Sequence, residues 1–129
     1  MGLDMSAHRW HIKPPKEVDF TLEEISLETL EASVTKISYW HKHPNLHGWM
    51  EKLYREKGGT EEVFNGDFVV LNSQDLDRLE DDVLEGNLPF TKGFFFGTST
   101  DRKLNDLIFI EEARKAIQEG DTVFYTGNW

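Results

Sequence analysis

Cysteine is absent from the 129 residues, which excludes a disulfide framework, thiolate metal sites, iron–sulfur clusters and a cysteine nucleophile. Such a chain fits a reducing cytosol. Long apolar runs are lacking as well: no stretch approaches the ~18 residues of a membrane span, and no signal-peptide pattern opens the chain. Basic residues are outnumbered, 14 Lys and Arg against 24 Asp and Glu, and the resulting net charge of −10 argues against general binding to phosphate backbones. No Gly-x-Gly-x-x-Gly run, P-loop, His-Glu-x-x-His pattern or Gly-x-Ser-x-Gly elbow occurs. Internal repeats and low-complexity segments are missing too.

What remains is a chain rich in aromatics, with four Trp and nine Phe, as expected of a folded protein. Its length fits a single domain over 1–129 with a core that needs no staple, and residues 1–20 read as extended or loosely ordered. Met1–Ser6 formally fits an N-myristoylation pattern, but no basic second anchor follows it. The charge is uneven: residues 1–60 carry 8 basic and 9 acidic side chains, residues 61–129 carry 6 and 15. The densest acidic stretch is Asp75, Asp77, Glu80, Asp81, Asp82 and Glu85. It reads either as a solvated helix face or as a surface for basic partners.

Along the chain, Arg9–Lys13 reads as a short strand stopped by Pro14-Pro15. Thr21 opens a helix in a capping-box arrangement with Glu24. Val34–Trp40 combines β-branched and aromatic residues with a spacing of three between Val34, Ile37 and Trp40, so strand and helix both stay open. Over His43–Gly58, Pro44 suits a first helical turn, and Leu46, Trp49, Met50, Leu53 and Tyr54 form an apolar stripe ended by Gly58-Gly59. Phe68–Leu71 reads as a buried strand. Ser73 is placed to cap a helix with the stripe Leu76, Leu79, Val83 and Leu84, ending at Gly86 or Asn87. Gly93–Gly97 reads as a strand, Asp106–Glu119 as a helix presenting Leu107, Ile110, Ala113 and Ile117, and Thr122–Tyr125 as a last strand. The expected class is α+β, with three to four helices packed on a small, mainly antiparallel sheet.

Chemistry concentrates in two blocks. Three of the five histidines fall in Trp40-His41-Lys42-His43-Pro44-Asn45-Leu46-His47-Gly48-Trp49. Imidazoles cap helices and pack on Trp, grip phosphates at a helix start, or with Glu51 hold a metal; the first two uses fit this spacing better. Gly48 inside a helix costs about 0.5–1 kcal/mol relative to alanine, which suggests close approach by another backbone, or else by a ligand. In Gly93-Phe94-Phe95-Phe96-Gly97-Thr98-Ser99, three consecutive Phe call for burial on both faces of a central strand. Alternatively one Phe stacks on a base or ring while Gly97, Thr98 and Ser99 donate hydrogen bonds.

These blocks, Tyr39–Met50 and Leu88-Pro89 with Gly93–Gly97, resemble a family of small uncharacterised proteins encoded by tailed bacteriophages, cyanophages included, and by prophages. Many of its members open with Met-Gly-Leu-Asp-Met, matched here by Met1–Met5. The resemblance is good over 39–119 and poor over 6–38, and His41 stands where the family usually has Arg. It implies a phage origin, action in the host cytosol, and signature positions at Trp40, Lys42, His47, Trp49 and Gly93–Gly97, without an activity.

The expected function is binding of a nucleotide or other phosphorylated metabolite by Trp40, His41, Lys42, His43, His47, Trp49, Phe95, Gly97, Thr98 and Ser99. No metal or cofactor is expected. The alternative is a host-takeover protein that meets a host protein through Asp75, Asp77, Asp81, Asp82 and Glu85, its signature blocks being core; the aromatic surplus also leaves room for a homodimer face. As an enzyme, the chain would use His43 or His47 as general base, with no nucleophile legible.

Overall fold

The computed structural model describes residues 2–11, 13–14, 16–20, 34–91 and 102–129. The expected Thr21 helix and the Gly93–Gly97 strand lie outside them. Four strands, β1 (Asp4–Trp10), β2 (Thr35–His41), β3 (Phe68–Leu71) and β4 (Thr122–Asn128), form one antiparallel sheet in the order β2-β1-β4-β3. Among the described residues, three helices, α1 (Pro44–Glu56), α2 (Ser73–Glu85) and α3 (Lys103–Gln118), join the sheet in an α+β fold.

Strand alternation sorts the side chains onto two faces. Met5, Ala7, Trp40, Val69, Leu71, Val123 and Tyr125 join the apolar stripes of the three helices in the main core. On the opposite face, Trp10, Phe20, Val70 and Phe124 make a smaller cluster against Val34 and Phe68. The segment expected as a strand over Arg9–Lys13 is instead the end of a strand that starts at Asp4 and stops at Trp10. That strand pairs on both sides, with β2 and β4, which places the start of the chain mid-sheet.

Residues 35–41 are a strand, and the awkward spacing of three has a local cause. The β1–β2 register shifts at Ala7/His8, where Ala7 pairs with Ser38 but His8 with Lys36, so Ile37 is an extra residue. The bulge lets Ile37 and Trp40 both face the main core, which straight alternation would forbid. No described strand lies beyond β2, and the exposed Lys36 ammonium sits 5.5 Å from the Tyr39 ring centre. On the other edge, Val18 bridges to Val69 and the Val70 amide donates to the Glu17 carbonyl (2.9 Å).

α1 buries its expected stripe, and each such leucine contributes about 1.5–3 kcal/mol by leaving water. α2 is capped by Asn72, one residue earlier than expected at Ser73. Asn72 accepts from the Asp75 amide (2.8 Å) while its own amide donates to the Asp75 carboxylate (2.9 Å), and a capping box needs the acid three residues after the cap. Leu84, expected in the α2 stripe, is half exposed. In α3 the buried row is Phe109, Ile110, Ala113 and Ala116; Leu107 and Ile117 pack only at its margin, because the face is rotated toward Asp106 and Phe109.

The protein atoms that approach Gly48 most closely are those of a side chain, not of the backbone that the sequence suggested first. A Cβ there would lie 1.9 Å from Thr91 Oγ1 and 2.9 Å from Thr91 Cβ. Thr91 has little room to retreat, since its amide donates to Asn45 Oδ1 (3.1 Å) and its hydroxyl to the Pro89 carbonyl (2.9 Å). Gly48→Ala should therefore destabilise by about 1–2 kcal/mol despite a helix-propensity gain of roughly 1 kcal/mol. Adding Thr91→Gly should recover most of the loss, measured as coupling in urea unfolding; a single variant as stable as the parent would refute the contact.

Candidate functional site

The histidine-rich block forms the corner between β2 and α1. Trp40, the last inward side chain of β2, is buried, meets Phe109 edge-on at 5.0 Å, and donates its indole N–H to Asp106 Oδ1 (3.0 Å). His41 points the other way: it is exposed, with Nδ1 2.9 Å from Asp4 Oδ1. That bond, then the one donated by the Tyr39 hydroxyl, holds the Asp4 carboxyl below its ordinary value. Lys42 turns the chain with φ 55°, its amide donating to the Leu3 carbonyl (2.8 Å) and its side chain exposed.

His43 precedes α1 and is buried. A carboxylate can only accept, so His43 Nε2 carries the proton it gives to Asp106 Oδ2 (3.0 Å). The same logic fixes the tautomer of His47. Its Nε2–H donates to the Phe64 carbonyl (3.2 Å), leaving Nδ1 to accept from the Tyr125 hydroxyl (2.6 Å). Burial pushes the His47 imidazole down to about 4 and the Tyr125 hydroxyl well above its ordinary value. Gly127 makes room for this pair: a Cβ there would lie 2.7 Å from the Tyr125 hydroxyl and 2.8 Å from His47 Nδ1. Trp49, also buried, donates to Asp82 Oδ2 (2.8 Å).

The three histidines thus diverge to Asp4, to Asp106, and to Tyr125 with Phe64. Among the described residues no group of three His, Cys, Asp or Glu side chains could hold a metal ion. Phe95, Gly97, Thr98 and Ser99 lie outside the described residues. The acidic stretch is partly consumed inside the fold. Asp75 is buried against the Lys57 ammonium (2.6 Å), Asp77 and Glu80 hold Arg114 (2.7 and 2.8 Å), and Asp82 serves Trp49. Asp81 and Glu85 are exposed.

A residue outside the expected set ties this corner to α3. Arg102, just before the helix, donates from Nη2 to the carbonyls of His41 (3.0 Å) and Lys42 (3.3 Å). Beside it lies a cleft of about 540 Å³, whose described lining is Arg102, Lys103, Leu104, Asn105 and Leu107. The sequence does not single out Asp106 or Tyr125, and it offers Asp82 as part of a surface for a host protein, not as the acceptor for Trp49. Asp106 had a signal, since it falls in step with Ile110 and Ala113 on the apolar face of its helix, where an acid needs donors. Tyr125 and Asp82 had none that spacing could supply.

Asp106→Ala should cost about 2–4 kcal/mol in urea unfolding, because the Trp40 and His43 N–H groups stay buried without an acceptor; Asp106→Asn should recover part of it. A loss under about 1 kcal/mol for the alanine variant would show that the carboxylate is not the anchor. For His47, the unfolded chain binds a proton near the ordinary value of 6.5, whereas the folded chain resists until about pH 4. The stability it contributes is whole above pH 6.5 and lost as pH falls through that window, roughly 3 kcal/mol in all. His47→Gln keeps both hydrogen bonds without titrating. Its stability should fall less than that of the parent between neutral pH and pH 4, and equal slopes would exclude the effect.

Compared with protein-family models, with curated proteins and with solved structures, the chain finds no match in any of the three.

Proposed function

We propose that the chain binds a small phosphorylated molecule of the nucleotide class in the cleft at the start of α3, acting in the cytosol of a phage-infected host. The observation that carries this reading is the cleft of about 540 Å³ with Arg102 and Lys103 in its lining, next to the corner that presents Lys42. Its volume is in the range of ligand pockets, ~300–1,000 Å³. The 16-residue α3 adds its N-terminal partial positive charge at the same place. In a protein of net charge −10, such a local field is what an anion would find. Trp40, His43, His47 and Trp49 then act as buried supports of the corner, and contact with ligand falls to Lys42, Arg102 and Lys103.

A second reading, docking of a host protein, is favoured by Asp77, Asp81 and Glu85, exposed at successive turns of α2 around the half-exposed Leu84. One experiment separates the two. Nucleoside mono- and triphosphates and pyrophosphate at millimolar concentration should raise the Tm by several degrees, since ligand at ~100 times its Kd adds ~2.7 kcal/mol. The shift should vanish in Lys42→Glu/Lys103→Glu and survive in Asp81→Lys/Glu85→Lys. No shift with any compound would reject the ligand reading.

A further inference from the structure

A second cleft, of about 420 Å³, opens at the other end of α3. Ile117 belongs to its lining and lies fourteen residues beyond Lys103, about 21 Å along the helix axis, so the two clefts are separate. It lies where the chain following β1 passes the junction of β3 with α2. Ile117, partly buried, supplies an apolar side chain beside the end of β3, where Val70 and Leu71 are buried toward opposite faces of the sheet, and Lys13 and Lys16 supply cations.

The charges here are not self-compensating. Two carboxylates belong to the same lining, Glu17 and Asp121, and both are held by cations outside it. Glu17 pairs with the Lys57 ammonium (2.7 Å), which also takes Asp75. Asp121 accepts from Arg9 Nε (2.6 Å) and contacts His11 Nδ1 (2.6 Å). Burial alone would raise the Asp121 carboxyl, but those two hydrogen bonds outweigh it and hold the group below its ordinary value, so it stays an anion committed to Arg9 and His11. Lys13 and Lys16 are exposed, and neither makes an ion pair among the described residues, although Lys16 is close enough to Asp19 to favour its ionised form. In a chain with ten more acids than bases, two lysines thus border an apolar hollow whose own carboxylates are already matched.

We infer that this cleft binds a small amphipathic anion, its apolar body against Ile117 and the end of β3 and its single anionic head between Lys13 and Lys16. Apolar contact and the two ammonium groups together supply the affinity, and the lysines fix the orientation and reject neutral and cationic analogues. This site does not depend on the reading of the cleft at the start of α3.

The test is amide chemical-shift perturbation on the whole chain with two probes, 2-naphthoate and octanoate, and one neutral control, 2-naphthalenemethanol. At least one acid should shift the amides of Leu71, Ser73 and Thr122 saturably at millimolar concentration. Naphthoate binding more tightly assigns a ring to the body of the ligand, and octanoate binding more tightly assigns a chain. Lys13→Gln/Lys16→Gln changes only exposed side chains and should weaken the acid about tenfold, a loss of about one pair of charge-assisted contacts. Lys103→Glu should leave binding unchanged. The proposal is overturned if neither acid shifts these amides, if the lysine variant binds as well as the parent, or if the neutral control binds as tightly as the acid.

Discussion

Three elements that are distant in sequence meet at one buried carboxylate. Asp106, in the first turn of α3, takes the indole proton of Trp40 from β2 and the imidazole proton of His43 from the start of α1, and all three side chains are almost wholly out of water. Each bond alone is worth about 1 kcal/mol net. Together they act as a constraint, because any shift of α3 against the sheet strands a buried polar group on two other elements. The Arg102 contact with the His41 and Lys42 carbonyls reinforces the same junction from the solvent side. The cleft at the start of α3 therefore adjoins a junction fixed by buried hydrogen bonds, and Arg102, one of the cations in its lining, is itself bonded to that junction.

Much of this is legible in the sequence, and the parts that are not have physical reasons. The Leu46–Tyr54 stripe and the four-residue strand Phe68–Leu71 follow from periodicity, and both came out with nearly the expected bounds. Residues 34–40 defeated periodicity because a bulge breaks the alternation on which it relies: Ile37 and Trp40 face one way in a strand that the simple rule would send opposite ways. Trp49 is legible as core from its place in the apolar stripe, but the sequence leaves core and site both open for Trp40, His43 and His47, since the acceptors that allow their burial lie more than sixty residues away or on another element. Glycine inside the α1 pattern at position 48 points to a close approach, but the neighbour, Thr91, follows only from tertiary structure.

Electrostatics tells a similar story. The second half of the chain carries a large acidic excess, yet several of its acids stitch elements together. Arg114 of α3 gathers Asp77 and Glu80 of α2 in a largely solvated cluster that contributes little by itself. The Lys57 pair with Asp75 is different: the two side chains are only 11% and 7% exposed, and removing Lys57 would leave Asp75 buried without its counterion. The capping acid of α2 and the end of α1 are thereby locked into one polar knot. The acids left over for a partner are fewer than the formal charge suggests.

The position of β2 also bears on what the protein avoids. Among the described residues β2 lies at the rim of the sheet, where a strand offers its backbone to any passing chain, and its aromatic, β-branched sequence would otherwise make a good template for aggregation. The exposed Lys36 places an ammonium group along that rim, and the Arg102 guanidinium already occupies the His41 carbonyl at its end. The bulge twists the strand between them. An incoming strand would have to bury one cation, displace another and follow a kinked path, so the corner that concentrates positive charge also protects the sheet from growing.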